Sequence, residues 1–459
     1  MNTSNSSLKT GPPRLEIIQR KIADLKPDPK NARIHKSRQI SLLAKSIKAF
    51  GFNVPVLVDG DDNVLAGHGR LLACQKLGML EVPTISFAHL SPEQAKAFMI
   101  ADNRLTEIAT WDDKLLGEQL KFLSIVDLNF DIEATGFSVG EIDLHIEALD
   151  TDPKIDNADT PLTLTGPAVT VTGDVWQLGP HRLLCDNALE EAAYTSLMDD
   201  NLAAMAFTDV PYNVKVDGHV GGKGAIKHRE FTMASGEMSV EEFTAFLTTA
   251  FTRMAKFSQQ GAIHYHCIDW RHLPEILAAG NSVYSELKNL CVWVKNQAGM
   301  GSLYRSQHEL VLVYKYGQAS HQNNVQLGRF GRYRTNIWEY PSIHNMRNGE
   351  EGDLLALHPT VKPIRMVADA ILDCSSRGDV VLDSFMGSGT TLLAAERTGR
   401  VCYGMEIDPI YVDTAILRWQ NLTGEDAIHT SSGQTFTQRQ LSLAEKIAEP
   451  CNHKGVNHE

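Results

Sequence analysis

Residues 208–214 read T-D-V-P-Y-N-V and follow an apolar, strand-like run of Ala203, Ala204, Met205, Ala206 and Phe207. An acid, a proline and an aromatic at the mouth of a strand suit the grip of a planar base that carries an amino group. The Asp209 carboxylate can accept one N–H of that group and a backbone carbonyl beside it the other, while the Tyr212 ring stacks on the base. Two acceptors on one amino nitrogen draw its lone pair out of the ring, which readies it to attack an electrophilic methyl. The same short string also describes an ordinary strand end with a turn, so the rest of the chain has to decide.

Residues 380–395, V-V-L-D-S-F-M-G-S-G-T-T-L-L-A-A, are the most specific stretch. A buried strand runs into a Gly-rich turn that opens a helix, which is how doubly wound α/β folds build a ligand crevice. The next strand, V-C-Y-G-M, ends in Glu406, placed to reach a ribose. Gly387 and Gly389 are followed by Thr390 and Thr391, so the third glycine of a dinucleotide fingerprint is missing. That argues against NAD and for S-adenosyl-L-methionine, which has no pyrophosphate to cradle. The expected cofactor contacts here are Asp383, Phe385, Gly387, Ser388, Gly389 and Thr390, with Glu406 on the ribose and Ile407 or Asp408 near the adenine.

The 209–212 string resembles the D-P-P-Y motif of DNA amino-methyltransferases, which make N6-methyladenine or N4-methylcytosine. The resemblance implies that Asp209, Val210, Pro211 and Tyr212 are catalytic. Val210 departs from it, standing where the family usually has its first proline; its carbonyl is retained but not the fixed φ near −65°. Residues 358–363, H-P-T-V-K-P, resemble the family's H-P-T-x-K-P element and add His358, Thr360 and Lys362 to the expected cofactor contacts. The order of target-base motif, recognition region and cofactor motif is the β arrangement. A second departure lies at 186–187, where the family's G-D-A or G-D-S reads D-N-A, leaving Asn187 to bond the cofactor's adenine. By the same resemblance the fold is α/β, a Rossmann-like methyltransferase sheet, mostly parallel and seven-stranded, flanked by helices.

Residues 15–108 resemble the N-terminal domain of ParB-like proteins, related to the sulfiredoxin fold, a smaller α+β unit. There a G-x-x-R box at a helix start contacts nucleotide phosphate. Gly67 and Arg70 match it, with His68 and Gly69 between, and a Gly turn at a helix N-terminus is an anion site on physical grounds too. The sulfiredoxin cysteine would fall at His68, so that redox chemistry is not expected. A helix cap alone explains G-H-G-R equally well, which leaves a nucleoside triphosphate open as a partner.

Bulk properties set few limits. The chain has 459 residues, enough for two to three domains, and no run of about 18 apolar residues that would suggest a membrane span. Its seven cysteines form no C-x-x-C pair, against a disulfide framework or cysteine zinc site, and a cytoplasmic location is expected. A net charge of −13 neither supports nor excludes DNA, since a local basic face suffices. Lys215 and Lys223, in the Gly-rich loop after Tyr212, and Arg329, Arg332 and Arg334, in a segment of interleaved arginines and aromatics, are the expected DNA contacts. His264 and His266 share a strand face as two metal ligands would, but no third ligand is in sight and no metal is expected.

The expected organisation is a flexible tail (1–13), a ParB-like domain (14–110), a helical extension (111–149), a linker (150–168), a methyltransferase domain (169–425, target recognition about 317–352) and a C-terminal tail (426–459). The function expected is site-specific methylation of adenine N6 in double-stranded DNA, as in restriction–modification systems, because Asp at the first motif position favours adenine. N4-cytosine methylation, RNA methylation, or a DNA-binding module weakened at Val210 and Asn187 are the alternatives. Oligomeric state is left open.

Overall fold

The computed structural model describes residues 15–29, 31–126, 128–149, 166–213, 236–296, 298, 303–325, 334–341 and 362–448. The chain forms two compact units, Met1–Leu149 and Asp150–Glu459.

The first unit contains β1 (Ile17–Lys21), β2 (Lys26–Pro27), α1 (Ser37–Phe50), β3 (Val56–Val58), β4 (Asn63–Ala66) and α2 (His68–Lys76). After these come β5 (Glu81–Ser86), α3 (Pro92–Ile108), α4 (Asp113–Ile125) and α5 (Val139–Glu147). Its sheet runs β1-β5-β3-β4-β2. The β3–β4 hairpin is locked by Asp59, whose carboxylate accepts from the backbone N–H groups of Asp61 and Asn63 at 2.8 and 2.9 Å. Leu25, Val56, Val58, Val64, Leu71, Cys74 and Val82 make its core. Helix α3 starts on a reciprocal capping box between Ser91 and Gln94, with Pro92 in the first turn where its missing N–H costs nothing.

The second unit opens with β6 (Val175–Leu178), β7 (His181–Cys185), α6 (Glu191–Met198), β8 (Ala203–Asp209), α7 (Val240–Lys256) and β9 (Ser258–Ile268). It continues with α8 (Leu273–Val283), β10 (Glu286–Val294), β11 (His308–Lys315), β12 (Ile337–Glu339) and α9 (Ile364–Cys374). Last come β13 (Val380–Asp383), α10 (Thr390–Thr398), β14 (Val401–Glu406), α11 (Pro409–Thr423), β15 (Ile428–His429) and α12 (Phe436–Ala448). The sheet order is β12-β10-β11-β9-β8-β13-β14-β7-β6-β15, and β9, β8, β13, β14 and β7 are parallel neighbours. Alternate residues of these strands feed two apolar clusters: Met205, Phe207 and Val381 belong to one, Ala206 and Leu382 to the other. Both faces of the sheet are therefore buried, as parallel strands require.

From the central pair the chain winds outward in opposite directions, from β8 through α7 to β9 and from β13 through α10 to β14. The switch point between β8 and β13 opens a crevice at the strands' C-terminal ends. Seven strands, β10-β11-β9-β8-β13-β14-β7, make the sheet the resemblance implies; β12, β6 and β15 extend it to ten.

Residues 426–459 need a correction: part of the expected tail is folded core. β15 pairs with β6, and Phe436 is buried with its ring 5.4 Å from that of Trp176. Asp174 holds both ends of this addition, accepting from His429 at 3.0 Å and Arg439 at 3.1 Å.

Candidate active site

Three adjacent parallel strands end in an acid: β8 in Asp209, β13 in Asp383 and β14 in Glu406. The pairings Ala206 with Leu382 and Asp383 with Gly404 bring these tips to one edge of the crevice.

The Gly-rich turn is fixed at both ends. Asp383 accepts from the Phe385 N–H at 3.0 Å and from the Thr391 hydroxyl at 2.6 Å. Gly389 caps α10 with φ +90°, a left-handed conformation that glycine adopts without strain. A Cβ there would lie 2.7 Å from the Cβ of Ala415 on α11. From the same helix Arg418 donates to the carbonyl and hydroxyl of Ser388 at 2.7 and 3.0 Å. Thr390 is buried as the first residue of α10, and the half-buried Phe385 ring lies 6.0 Å from that of Phe246. Glu406 accepts the N–H of Gly387 on one oxygen at 2.8 Å and that of Asp408 on the other at 2.9 Å, while Asp408 caps α11 through the Ile410 N–H. Asn187 sits past the end of β7, where Asp186 bonds the Glu406 carbonyl at 3.1 Å. Its side-chain oxygen accepts the N–H of Leu189 at 3.0 Å in a local turn.

Burial pushes the Asp383 carboxyl up to about 7 and that of Glu406 up to about 6, and neither has a basic partner among the described residues. A buried and a half-buried carboxyl lacking a basic partner among the described residues, beside a glycine turn, fit a ligand that brings its own positive charge and a pair of hydroxyls. S-adenosyl-L-methionine has both, in its sulfonium, its ammonium and its ribose diol.

At the β8 tip the side chains form a closed network. The Tyr212 hydroxyl donates to Asp209 Oδ1 at 2.7 Å and lies 3.0 Å from Glu309 Oε2. Lys362 Nζ reaches Asp209 Oδ2 at 2.6 Å, the Tyr212 oxygen at 3.0 Å and Glu309 Oε2 at 3.0 Å. Lys295 Nζ donates to Glu309 Oε1 at 2.5 Å. Both ammonium groups also lie near the Trp293 ring, at 4.8 Å for Lys295 and 5.7 Å for Lys362. Held between two lysines, Glu309 titrates well below the usual carboxylate range. Burial moves the Asp209 carboxyl upward, with Lys362 its one basic partner among the described residues and the like charge of Glu309 close by. The two carboxylates hold the Lys362 ammonium protonated well above its ordinary range.

Val210 is buried in one of the two apolar clusters, so its side chain packs where the family's proline would stand. The next turn is stapled by Asn213, a left-handed residue with φ +51°. Its side chain accepts from Gly236 and Met238 at 3.0 and 3.2 Å and donates to the Met238 carbonyl at 2.9 Å, so the chain re-enters beside the motif.

Lys362, expected at the cofactor, thus pairs with the acid of the D-V-P-Y string, and Glu309 and Asn213 join a site that sequence reasoning had built without them. Glu309 carried one signal, an acid opening the otherwise apolar strand run H-E-L-V-L-V-Y. Arg334, expected as a DNA contact, is engaged within the second unit. Its guanidinium bonds Asp373 at 3.1 Å, Asp369 at 3.1 Å and the Tyr340 hydroxyl at 2.7 Å, so its charge is already balanced inside the unit. Lys215, Lys223, Arg329, Arg332, His358 and Thr360 lie outside the described residues. The ring nitrogens of His264 bond Tyr284 and Ser258 and those of His266 bond Tyr284 and Thr208, at 2.7–3.0 Å.

In the first unit, Gly67 caps α2 with φ +101°, and a Cβ there would lie 3.2 Å from Arg70 Nη2. Gly69 is buried against His35 and Leu43. Half-buried Arg70 makes no hydrogen bond or ion pair among the described residues, and burial lowers its pKa.

Residues 203–417 match the N6/N4 DNA methylase family. The type II methyltransferase M.BglII of Bacillus subtilis is 27% identical, over 36% of this chain and 50% of that protein. The orphan methyltransferase M.BamHII of Bacillus amyloliquefaciens is 39% identical, over 22% of this chain and 37% of that protein. The chain thus spans half or less of the length of these two relatives. The ParB-like nuclease domain-containing protein YnaK of Escherichia coli K12 is 42% identical over 81 residues, 18% of this chain and 93% of that protein. Among solved structures, the PvuII cytosine-N4-specific DNA methyltransferase aligns with a TM-score of 0.40 at 14% identity, over 61% of this chain and 94% of that one. Residues 203–417 are thus an S-adenosyl-L-methionine-dependent N6/N4 DNA methylase domain, and a ParB-like segment similar to YnaK lies ahead of it.

Proposed function

We propose that this protein methylates the N6 amino group of adenine at a specific site in duplex DNA. The observation that carries the reading is the Asp209 carboxylate at the tip of β8, one strand from the Asp383 tip that begins the Gly-rich turn. In this reading S-adenosyl-L-methionine, when bound, supplies an electrophilic methyl group. Glu406 would hold the ribose hydroxyls, Asp408 and Asn187 the adenine, and the 383–390 turn the methionine part.

The target base leaves the duplex, since its amino group is paired inside it. Asp209 and the carbonyl of Val210 then accept the two amino N–H bonds, and the Tyr212 ring stacks on the base. These residues contribute mainly orientation and proximity. Val210 keeps the carbonyl, and its buried side chain anchors the loop by packing in place of the proline ring. Adenine is favoured over cytosine because the motif opens with Asp. Lys215, Lys223, Arg329 and Arg332 are the phosphate and base contacts of this reading. Incubating the protein with methyl-labelled S-adenosyl-L-methionine and unmethylated duplex DNA, then digesting to nucleosides, tests it. Label in N6-methyldeoxyadenosine supports the proposal; label in N4-methyldeoxycytidine overturns the choice of base.

Half-buried Arg70 at the start of α2, which among the described residues makes no hydrogen bond and has only the more distant charge of Asp102, supports a second proposal, a phosphate-binding site formed with Gly67 and Gly69 that takes a nucleoside triphosphate. Calorimetric titration with the common triphosphates tests it, and unchanged affinity in Arg70→Ala would remove Arg70 from the site. The six described cysteines are buried free thiols, which fits a cytoplasmic setting, and no helix among the described residues is long and apolar enough to cross a membrane.

A further inference from the structure

Both oxygens of Asp209 are already engaged, Oδ1 by the Tyr212 hydroxyl and Oδ2 by Lys362. A target amino group that binds Asp209 therefore displaces one of them. Lys362 is the harder to displace, because its ammonium is buried and has three acceptors around it, Asp209, the Tyr212 oxygen and Glu309. The Tyr212 hydroxyl has a single proton and two carboxylate acceptors, Asp209 at 2.7 Å and Glu309 at 3.0 Å. It can leave the first without losing a hydrogen bond.

We infer that Glu309 is a positioning residue: it takes over the Tyr212 hydroxyl when the target amino group occupies Asp209 Oδ1. The inference rests on the methyltransferase reading above and adds to it the residue that frees the acceptor. Three features suit Glu309 to this. It is 5% exposed on β11, opposite Trp293 of β10, so its carboxylate is held in place. Lys295 on its other oxygen keeps it ionised independently of Lys362. Its Oε2 faces the phenol and Lys362 together, so the exchange moves one hydrogen bond and no charge. Without it, the phenol would be left in a buried place with no acceptor, or would hold on to Asp209 in competition with the base.

The test is a double-mutant cycle on the full chain with Glu309→Gln, Tyr212→Phe and the pair, each assayed for methyl transfer at saturating DNA and for S-adenosyl-L-methionine affinity. Glu309→Gln should lower kcat about ten- to hundred-fold, the worth of one charge-assisted hydrogen bond, with cofactor affinity within about two-fold of wild type. In the Tyr212→Phe background, which has no hydroxyl to hand over, the same substitution should cost about three-fold or less. Equal losses in both backgrounds, or a Glu309→Gln enzyme within about two-fold of wild type, overturn the inference and leave the methyltransferase reading intact. A wild-type protein that transfers no methyl overturns both. Should Glu309→Gln lose its fold, Glu309→Asp, which keeps the charge but withdraws it from the phenol, goes through the same cycle. It should show the same dependence on Tyr212, and its absence overturns the inference.

Discussion

Replacing Lys362 by methionine keeps the stem beside Tyr212 and Trp293 but removes the ammonium that joins Asp209 to Glu309. Breaking a buried ion pair typically costs about 3–5 kcal/mol. Two features reduce that here: Glu309 keeps Lys295, and the Asp209 side chain is 22% exposed and can take up a proton. A loss of about 2–3 kcal/mol at pH 8 follows. Its pH dependence has a definite sign. Burial already raises the Asp209 carboxyl in the folded state, and losing Lys362 raises it further while the unfolded value stays put. A carboxyl raised on folding favours the fold below its unfolded pKa and loses that contribution as pH rises through the folded value. The cost of Lys362→Met therefore grows from pH 5 to pH 8, by about 1.4 kcal/mol for each unit of further rise. Urea unfolding of wild type and variant at both pH values measures this. An equal loss at pH 5 and pH 8, or none at pH 8, would refute the network as described.

Three other outcomes follow from the same structure. Gly389→Ala should cost about 2–4 kcal/mol, by left-handed strain and the clash with Ala415, and should abolish cofactor binding in calorimetry. His264 is held neutral, its pKa lowered by burial to about 3, and His266 is shifted the same way. The unfolded chain takes up protons there that the folded one refuses, so these residues lower stability as pH falls below about 6.5, and His264→Gln should lose less stability than wild type between pH 7.5 and 5. Arg334→Met should lower the melting temperature, through a cost of about 2–4 kcal/mol, because Asp369 and Asp373 lose their shared cation, with DNA affinity unchanged in gel-shift titration.

The parts of this molecule that were legible in its sequence are local. The 208–212 and 380–391 strings each place a strand end, a turn and its chemistry within a dozen residues, and the hairpin turn at Asp59 and the cap at Ser91 are local in the same way. The parts that were not legible join residues far apart. Tyr212 and Glu309 are 97 positions apart and Asp209 and Lys362 are 153, separations that no periodicity encodes. The inward pairs of Arg334 were not legible either, because a run of arginines and aromatics looks alike whether its charges face phosphate or pair inward. The C-terminal stretch, read as a polar tail with some helix, is docked, and T-F-T-Q marks the helix start with a capping box that Thr435 and Gln438 form at 2.9 and 3.1 Å. What was lacking there was its partner, since β15 pairs with β6 and Phe436 packs on Trp176, some 250 residues earlier.

The central claim is that Asp209 grips the target amino group beside a cofactor held by neighbouring strand tips. Single-turnover methyl transfer to duplex DNA by wild type and Asp209→Ala, each loaded with labelled S-adenosyl-L-methionine, tests it most directly. The account predicts label in N6-methyldeoxyadenosine from wild type and a rate slower by about a thousand-fold in the variant, with cofactor affinity within a few-fold. An Asp209→Ala protein that matches wild type, or a wild type that binds cofactor and transfers nothing, would contradict it.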